Sequence, residues 1–183
     1  MKDKRSVGMI PVDIAIFVLG LFLDQLSKYL VRAGLPEHQF IELIPGWLQI
    51  YHHENSGATW GMLQGQTLFF IFIAVAVFCA LIFLILRIPK EKKYIRLHIA
   101  LSMILAGAVG NTIDRIMKRS VTDFIYAVII HFPVFNVADM YIVIATFWLV
   151  IMVLFIYKDD DLRFVGSGRT DTKRKPEAEE EED

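Results

Sequence analysis

The sequence predicts an all-α integral membrane protein in which four transmembrane helices carry a small extracytoplasmic β-sheet element at the outer interface. The 183-residue chain is 55% hydrophobic with a mean hydropathy of +0.49, which is too apolar for an ordinary soluble domain of this length. The apolar residues are concentrated in four long runs, and basic residues occur only in some of the segments between them. A soluble bundle of very apolar helices is the alternative, and the length of the runs disfavours it.

The four runs cover residues 10–31, 67–86, 98–113 and 140–157. At about 1.5 Å per residue, each can cross most or all of a hydrocarbon core about 30 Å thick. The first run is too long for the apolar part of a cleavable signal peptide and has no small-residue cleavage site at its end, so we expect it to remain as an anchor. The chain length indicates one domain, which we place at residues 1–158.

The remaining residues, 159–183, form a polar segment with ten acids and five bases, whereas the rest of the chain carries a net charge of +4. Such a segment cannot bury an apolar core, so it is predicted to be a disordered cytoplasmic tail.

Basic residues mark the cytoplasmic side of a membrane protein. Residues 33–66 contain no Lys or Arg, which predicts an outer loop. The basic residues near the other ends of the runs are Lys2, Lys4, Arg5, Arg87, Lys90, Lys92, Lys93, Arg96 and Lys158. The segment 115–138 is the exception, because it contains Arg115, Lys118 and Arg119. The balance predicts that both termini are cytoplasmic and that residues 33–66 and 115–138 are outside.

The first outer loop contains two short strand patterns, at residues 40–44 and 47–51, separated by a turn at Pro45 and Gly46. Trp47, Tyr51 and Trp60 suit the headgroup region, where amphipathic rings are favoured. We therefore expect a small sheet on the outer leaflet.

Under this topology the polar side chains that need an explanation gather at the outer face, and no comparable group is expected at the midplane or the inner face. They are Asp24, Lys28, Asn55, Asn111, Asp114, Arg115, Asp123, Asn136 and Asp139. Ionisable residues at a membrane are costly, so such a group is a functional-site hypothesis.

Two aspartates of this group can divide acid and base roles. Asn136 is a plausible N-cap of the fourth helix, which places Asp139 in the first turn, where the helix dipole favours the ionised form. Asp123 is followed by apolar residues, and desolvation favours its protonated form. We predict that Asp139 acts as general base and Asp123 as general acid. Two unrelated interfacial carboxylates are the alternative.

Other polar residues have structural interpretations. Asp24 and Lys28 are four residues apart, so they share a helix face and can pair. Asp114 is expected to pair with Arg115 or another cation, because the helix C-terminus disfavours an anion. Ser27 and Lys28 are adjacent on a helix and point about 100° apart, which disfavours a Ser/Lys nucleophile.

No cofactor and no metal are predicted. His52, His53 and His131 lie on the outer side, but their spacing is not that of a metal site, and Cys79 is the single cysteine. The sequence contains no Gly-x-Ser-x-Gly motif and no phosphate-binding loop, and no nucleic-acid partner is expected.

Five segments together resemble the bacterial lipoprotein signal peptidases (signal peptidase II), a family of four-span aspartic peptidases. They are Asp24-Gln25-Leu26-Ser27-Lys28, Asn55-Ser56-Gly57-Ala58, Gly107-Ala108-Val109-Gly110-Asn111-Thr112-Ile113-Asp114-Arg115, Val121-Thr122-Asp123-Phe124 and Phe135-Asn136-Val137-Ala138-Asp139. The order and spacing match over about residues 10–158. Met140 and Thr59-Trp60 depart from frequent family residues, and neither departure touches the two aspartates.

The resemblance implies a catalytic dyad of Asp123 and Asp139. It also implies supporting roles in substrate binding for Asp24, Lys28, Asn55, Gly107, Asn111, Arg115 and Asn136. The implied substrate is a diacylglyceryl-modified prolipoprotein, cut just before its lipidated cysteine at the outer face of the bacterial cell membrane. The implied partners are membrane lipid and cyclic peptide inhibitors such as globomycin. A small proton-coupled transporter and a non-catalytic assembly factor remain as alternatives, although transporter carboxylates usually lie near the midplane.

Overall fold

The computed structural model describes residues 9–57, 65–162 and 164, so Trp60 and the basic residues before position 9 lie outside the described part. Four helices run over α1 (Met9–Gly34), α2 (Thr67–Arg87), α3 (Ile95–Lys118) and α4 (Val137–Ile151). A short 3₁₀ turn, Lys92–Tyr94, precedes α3, and a π-helical turn, Met152–Ile156, extends α4. All four helices are long and apolar enough to cross a membrane, which confirms the predicted spans.

Helix α3 is the centre of the bundle and packs against α1, α2 and α4. More than half of its span is buried, against less than a fifth of each other span. Small residues permit this close approach: an added methyl group at Gly107 would lie 2.5 Å from the carbonyl oxygen of Ala138 on α4. Because lipid provides no hydrophobic driving force between helices, such close packing has to hold them together.

The sheet has three antiparallel strands in the order β1 (Phe40–Ile44), β2 (Leu48–Asn55) and β3 (Val121–Ala127). The predicted hairpin is confirmed as β1 and β2, although β2 continues four residues past the predicted end at Tyr51. The third strand was missed. Its residues were predicted to lie in an outer loop, because the strand is short and its partner, β2, is distant in sequence. This strand carries Asp123.

The expectation of a single polar face is wrong. A second buried polar cluster joins the first half of α1 to the start of α3, where Asp13, His98 and Ser102 meet. The Asp13 carboxylate lies 2.9 Å from Nδ1 of His98 and accepts a hydrogen bond of 3.1 Å from Ser102. Both partners of Asp13 lie inside an apolar run, so composition alone concealed them.

The first residues after α4 and its π-helical turn contact the segment that precedes α3. A 3₁₀ turn covers Asp159–Leu162, where Asp161 pairs with Lys93 and its carbonyl accepts from the Tyr94 hydroxyl. The division into a domain of residues 1–158 and a disordered tail stays a prediction, since most of the tail lies outside the described residues.

Candidate active site

Asp123 and Asp139 are brought together by the segment between β3 and α4, which folds back on the strand. Ile125 and Phe135 form a bridge in which each backbone amide donates to the other residue's carbonyl, at 2.8 and 3.0 Å. The bridge places the first turn of α4 beside the middle of β3. Asp123 lies on the strand, and Asp139 lies in that first turn.

Asn136 links the two carboxylates. As predicted, Asn136 is the N-cap of α4. Its side-chain Oδ1 accepts from the backbone amide of Asp139 at 3.0 Å, and its backbone amide donates to the Asp139 carboxylate at 3.1 Å. Its Nδ2 donates to Asp123 at 2.6 Å. One fully buried side chain therefore contacts both acidic residues.

Asn111, on α3, holds Asp139 from the other side. Its Nδ2 donates to the Asp139 carboxylate at 2.8 Å, while its Oδ1 accepts from Lys28 at 2.8 Å and from Asn136 at 3.1 Å. Because a lysine ammonium can only donate, the Asn111 oxygen must face Lys28. The amide nitrogen is therefore directed at Asp139.

Lys28 lies at the centre of a buried ionic cluster. It is fully buried and pairs with Asp24 at 2.9 Å and Asp114 at 3.0 Å, so the predicted pairing of Asp24 and Lys28 is confirmed. Asp114 also lies 3.8 Å from Arg32 and from Lys118. We expected Asp114 to pair with Arg115 or with another cation. The structure shows another cation, because Lys28 is its nearest partner. Burying one of these charges without partners would be costly, and the paired arrangement removes that cost.

The ionic cluster is connected to α4 as well. The Asp24 carboxylate accepts from the backbone amide of Ala138 at 3.0 Å, in the first turn of the helix that carries Asp139. A methyl group added to Gly110 would overlap this carboxylate. The small residues of α3 therefore make room both for α4 and for the buried charges.

Asn55 and Arg115 complete the group of predicted site residues. Asn55, at the end of β2, donates to the second oxygen of Asp123 at 2.9 Å, and its own carbonyl accepts from the Gly57 amide at 3.0 Å. The Arg115 guanidinium lies 4.9 Å from the centre of the Phe70 ring.

A cavity of about 820 Å³ opens beside these groups. Its polar wall includes Asn55, Asn111, Arg115, Asp123 and Asp139. Its apolar and aromatic wall includes Tyr51, Phe70, Tyr126, Phe132, Phe135, Ile142 and Val143. A cavity of this size, with carboxylates on one wall and apolar and aromatic side chains on another, is large enough for an extended peptide.

The surroundings of Asp123 favour its protonated form. The side chain is only 3% exposed, and burial, reinforced by the nearby charge of Asp139, raises its pKa to about 7. The hydrogen bonds from Asn55 and Asn136 and the charge of Lys28 oppose the shift without cancelling it. Asp123 is therefore positioned to hold a proton near neutral pH.

The histidines considered for a metal site have other contacts. In His52, Nδ1 is 2.7 Å from the Leu35 carbonyl oxygen and Nε2 is 3.3 Å from the Glu54 carboxylate. The His53 ring stacks on that of Tyr51. Within residues 9–57, 65–162 and 164, no three His, Cys, Asp or Glu side chains are arranged to hold a metal ion. Ser27 donates to the carbonyl of Asp24 on its own helix.

Sequence reasoning missed Arg32 and Thr122, which adjoin the site. Thr122 precedes Asp123 in the chain, and its hydroxyl accepts a hydrogen bond of 3.0 Å from Arg32. One available signal was the spacing, because Arg32 is four residues after Lys28 and shares its helix face.

Comparison with known proteins identifies the family of the chain. Residues 16–155 match the signal peptidase II family. Three relatives are named lipoprotein signal peptidase. The Enterococcus faecalis protein is 36% identical over 90% of this chain and 98% of its own length. The Bacillus velezensis protein is 40% identical over 78% and 92%, and the Staphylococcus aureus protein is 37% identical over 84% and 93%.

Two solved structures described as bacterial membrane enzymes have the same fold. One has a TM-score of 0.71 and 34% identity over 79% of this chain and 88% of that one. The other has a TM-score of 0.70 and 33% identity over 81% and 96%. These matches and the four apolar helices identify a multi-pass bacterial membrane peptidase, and they do not favour a transporter or an assembly factor. The chain belongs to the signal peptidase II family.

Proposed function

We propose that this protein is a membrane-embedded aspartic endopeptidase that removes the signal peptide from diacylglyceryl-modified prolipoproteins. Family membership supports the removal of signal peptides, and the names of the relatives support prolipoproteins as substrates. The observation that carries the aspartic mechanism is the joint contact of Asn136 with Asp123 and Asp139 beside the cavity.

In the proposed reaction the two aspartates have different roles. Ionised Asp139 accepts a proton from water as the water attacks the scissile carbonyl, and protonated Asp123 donates to the carbonyl oxygen. The tetrahedral intermediate collapses when Asp139 gives its newly gained proton to the leaving amine and Asp123 takes a proton back from a hydroxyl of the intermediate, which restores the starting pair. The Asn111 side chain and the Asn136 backbone amide donate to the Asp139 carboxylate and fix its orientation.

The other predicted residues hold this pair in place. The cluster of Lys28 and its acidic partners fixes Asn111, and Asn55 supports Asp123 from the sheet. Gly107 allows α4 to approach α3 closely enough for Asn111 to reach Asp139. Arg115 borders the cavity, where its guanidinium can donate to a peptide carbonyl.

The lipid of the substrate fits a site at the membrane boundary. The diacylglyceryl chains would remain in the bilayer while the peptide bond before the modified cysteine reaches the dyad. Chains that are already in lipid gain little further burial, so their main contribution would be to position the scissile bond. Globomycin, as a cyclic peptide inhibitor of the family, is expected to occupy the same cavity.

The test is cleavage of a synthetic lipidated precursor by purified protein in lipid. Asp123→Asn and Asp139→Asn should each lower kcat by at least about 100-fold, because an amide neither activates water nor exchanges the required proton. Glu42→Gln, an exposed carboxylate on β1, is the matched control and should cleave normally. Near-normal turnover by either aspartate variant would overturn the mechanism.

The same assay tests the substrate. The unlipidated precursor should show a large fall in kcat/KM, and globomycin should inhibit cleavage of the lipidated one. Equal cleavage of the two precursors would identify a different peptidase specificity. No cleavage of the lipidated precursor by wild type would favour the transporter or assembly-factor alternatives.

A further inference from the structure

A third polar cluster, distinct from the Lys28 and Asp13 clusters, is centred on Glu54 of β2. The Glu54 carboxylate accepts from the hydroxyls of Ser120 at 2.5 Å and Thr122 at 2.7 Å. Lys118 Nζ lies at 3.5 Å and His52 Nε2 at 3.3 Å from the same carboxylate. The cluster thus joins β2 to the end of α3 and the start of β3.

The direction of the hydrogen bond between Thr122 and Glu54 is fixed by its surroundings. Thr122 is fully buried, and its hydroxyl oxygen accepts from Arg32 at 3.0 Å and Lys118 at 2.5 Å. Both of these cations can only donate, so the hydroxyl proton must point to the Glu54 carboxylate. Thr122 therefore uses its full bonding capacity, and Glu54 is its one acceptor among the described contacts.

This contact lies where the strand register is established. The β2–β3 register shifts between Ile50 and His53 and then pairs His53 with Asp123 and Glu54 with Thr122. Successive strand side chains point to opposite faces, so the side chains of Glu54 and Thr122 lie on the other face of the sheet from those of Asn55 and Asp123. Glu54 also borders the cavity. Because the backbone ladder is irregular just before this point, the side-chain contact adds a constraint on the register of the three pairs that follow.

The charge of Glu54 is maintained in this setting. Burial opposes ionisation, but hydrogen bonds from Ser120 and Thr122 and the charge of Lys118 outweigh it and lower the pKa of Glu54 below its usual value. Glu54 therefore remains a charged acceptor over the pH range in which Asp123 titrates.

We propose that Glu54 is a positioning residue for the peptidase reaction: it holds β2 in the register that lets Asn55 donate to Asp123. The proposal rests on the proposed function. Glu54 acts through Asn55 and Thr122 and contacts neither aspartate of the dyad in the described part of the chain.

The proposal predicts a specific change in kinetics for Glu54→Ala. Loss of one well-placed hydrogen bond to the dyad should lower kcat about ten-fold, while KM stays within about two-fold. Since the bond from Asn55 favours the charged form of Asp123, its loss should also move the alkaline limb of the kcat profile to higher pH. Glu54→Gln keeps an acceptor for the two hydroxyls and should restore most of the activity.

A double-mutant cycle separates positioning from general stability. Asn55→Ala, Glu54→Ala and the double variant are compared by cleavage of the lipidated precursor, with Glu42→Ala on the exposed sheet edge as the matched control. If Glu54 acts through Asn55, the double variant should be no slower than Asn55→Ala and should show the same pH limb. The control should match wild type.

Additive losses in the double variant, or a wild-type kcat and pH limb for Glu54→Ala, would overturn the positioning role while leaving the proposed function intact. If wild type fails to cleave the precursor, the proposed function itself falls, and the role of Glu54 with it. If Glu54→Ala does not fold, Thr122→Val removes the paired hydroxyl instead, and it must then show the same shift and the same non-additivity with Asn55→Ala.

Discussion

At the scale of single residues, the two aspartates of the site are chemically identical and differ only in their surroundings. Asp123 is buried on a strand, whereas Asp139 lies in the first turn of α4, where a backbone amide and the Asn111 side chain donate to it. Burial raises the pKa of Asp123, which is the direction that the sequence predicted from its apolar neighbours. The division of acid and base roles between Asp123 and Asp139 stays a prediction.

The raised pKa of Asp123 makes stability depend on pH with a defined sign. Between pH 4 and about 7 the folded state holds a proton on Asp123 that the unfolded state has released, so stability falls as pH rises through this window. Asp123→Asn removes this dependence. Its stability relative to wild type should therefore rise by up to a few kcal/mol from pH 4 to pH 8.

The measurement is thermal unfolding in detergent at both pH values, with Glu42→Gln as a control that retains the wild-type pH dependence. In Asp123→Asn the new side-chain amide would face the amide donors of Asn55 and Asn136, which changes stability at both pH values. The test therefore compares the stability difference between variant and wild type at pH 4 with the same difference at pH 8. A difference that is equal at pH 4 and pH 8 would show that Asp123 has an ordinary pKa.

Metal removal provides another test at this scale. Cleavage should survive exhaustive treatment with EDTA, because the proposed chemistry uses carboxylates, amides and water alone. The assay compares treated and untreated protein at equal substrate concentration. Loss of activity that zinc restores would contradict the aspartic mechanism and would direct attention to His52, His53 and His131.

At the scale of the secondary-structure elements, α3 organises the site because it carries glycines on the side that faces α1 and α4. Ala138 on α4 and Asp24 on α1 both occupy space that a larger side chain at Gly107 or Gly110 would fill. The site therefore depends on helix separation as directly as on its polar residues.

Gly107→Ala should lower both stability and activity. The added methyl group would lie 2.5 Å from the Ala138 carbonyl oxygen and 2.8 Å from Ile142, so α3 and α4 must separate. We expect a loss of about 1–3 kcal/mol in stability and about 100-fold in kcat, since Asp139 moves with α4. Gly34→Ala, at the open end of α1, is the control and should change neither quantity. A Gly107→Ala variant with wild-type kcat would show that helix separation does not limit the dyad.

The buried cluster at the other end of α1 and α3 should affect stability alone. Asp13→Ala leaves His98 Nδ1 and the Ser102 hydroxyl without their shared acceptor, which should cost about 2–3 kcal/mol. Ser102→Ala removes a single donor and should cost less. Thermal unfolding and cleavage well below the unfolding temperature are measured for both variants. A large loss of kcat in folded Asp13→Ala would show that this end of the bundle is coupled to the dyad.

At the scale of the whole molecule, the orientation in the membrane decides whether the site can meet an exported substrate. The basic residues between α2 and α3 favour a cytoplasmic position for that end, and the residues near the dyad then face outward. This assignment remains a prediction, because Arg115, Lys118 and Arg119 lie near the opposite end.

Thiol labelling of intact cells tests the orientation. In a Cys79→Ser background, Ile130→Cys should react with an impermeant reagent added outside, and Lys92→Cys should react only after the membrane is opened. Both positions are exposed, so a difference in labelling reports location rather than burial. Labelling of Lys92→Cys alone in intact cells would invert the topology and separate the dyad from its proposed substrate.

Much of this protein can be predicted from sequence because the membrane simplifies the problem. Each span needs enough apolar residues to cross lipid, so the runs that become α1, α2, α3 and α4 are visible as composition. The N-cap at Asn136 and the pair Asp24–Lys28 are equally local, since they depend on spacing within one helix. The five motif segments then identify the residues of the site.

Contacts between distant segments were decided by the tertiary structure alone. Strand β3 exists because β2 offers it a partner, and the fold-back bridge between Ile125 and Phe135 brings Asp139 to Asp123. The clusters around Asp13 and Glu54 likewise depend on distant contacts, such as Ser102 with Asp13 at 89 positions and Ser120 with Glu54 at 66 positions along the chain. Local patterns encode which side chains a helix or strand presents, whereas the partner of each buried polar group depends on which elements pack together. The sequence by itself therefore determined the spans and the candidate residues, and only the packing of those spans decided which residues meet.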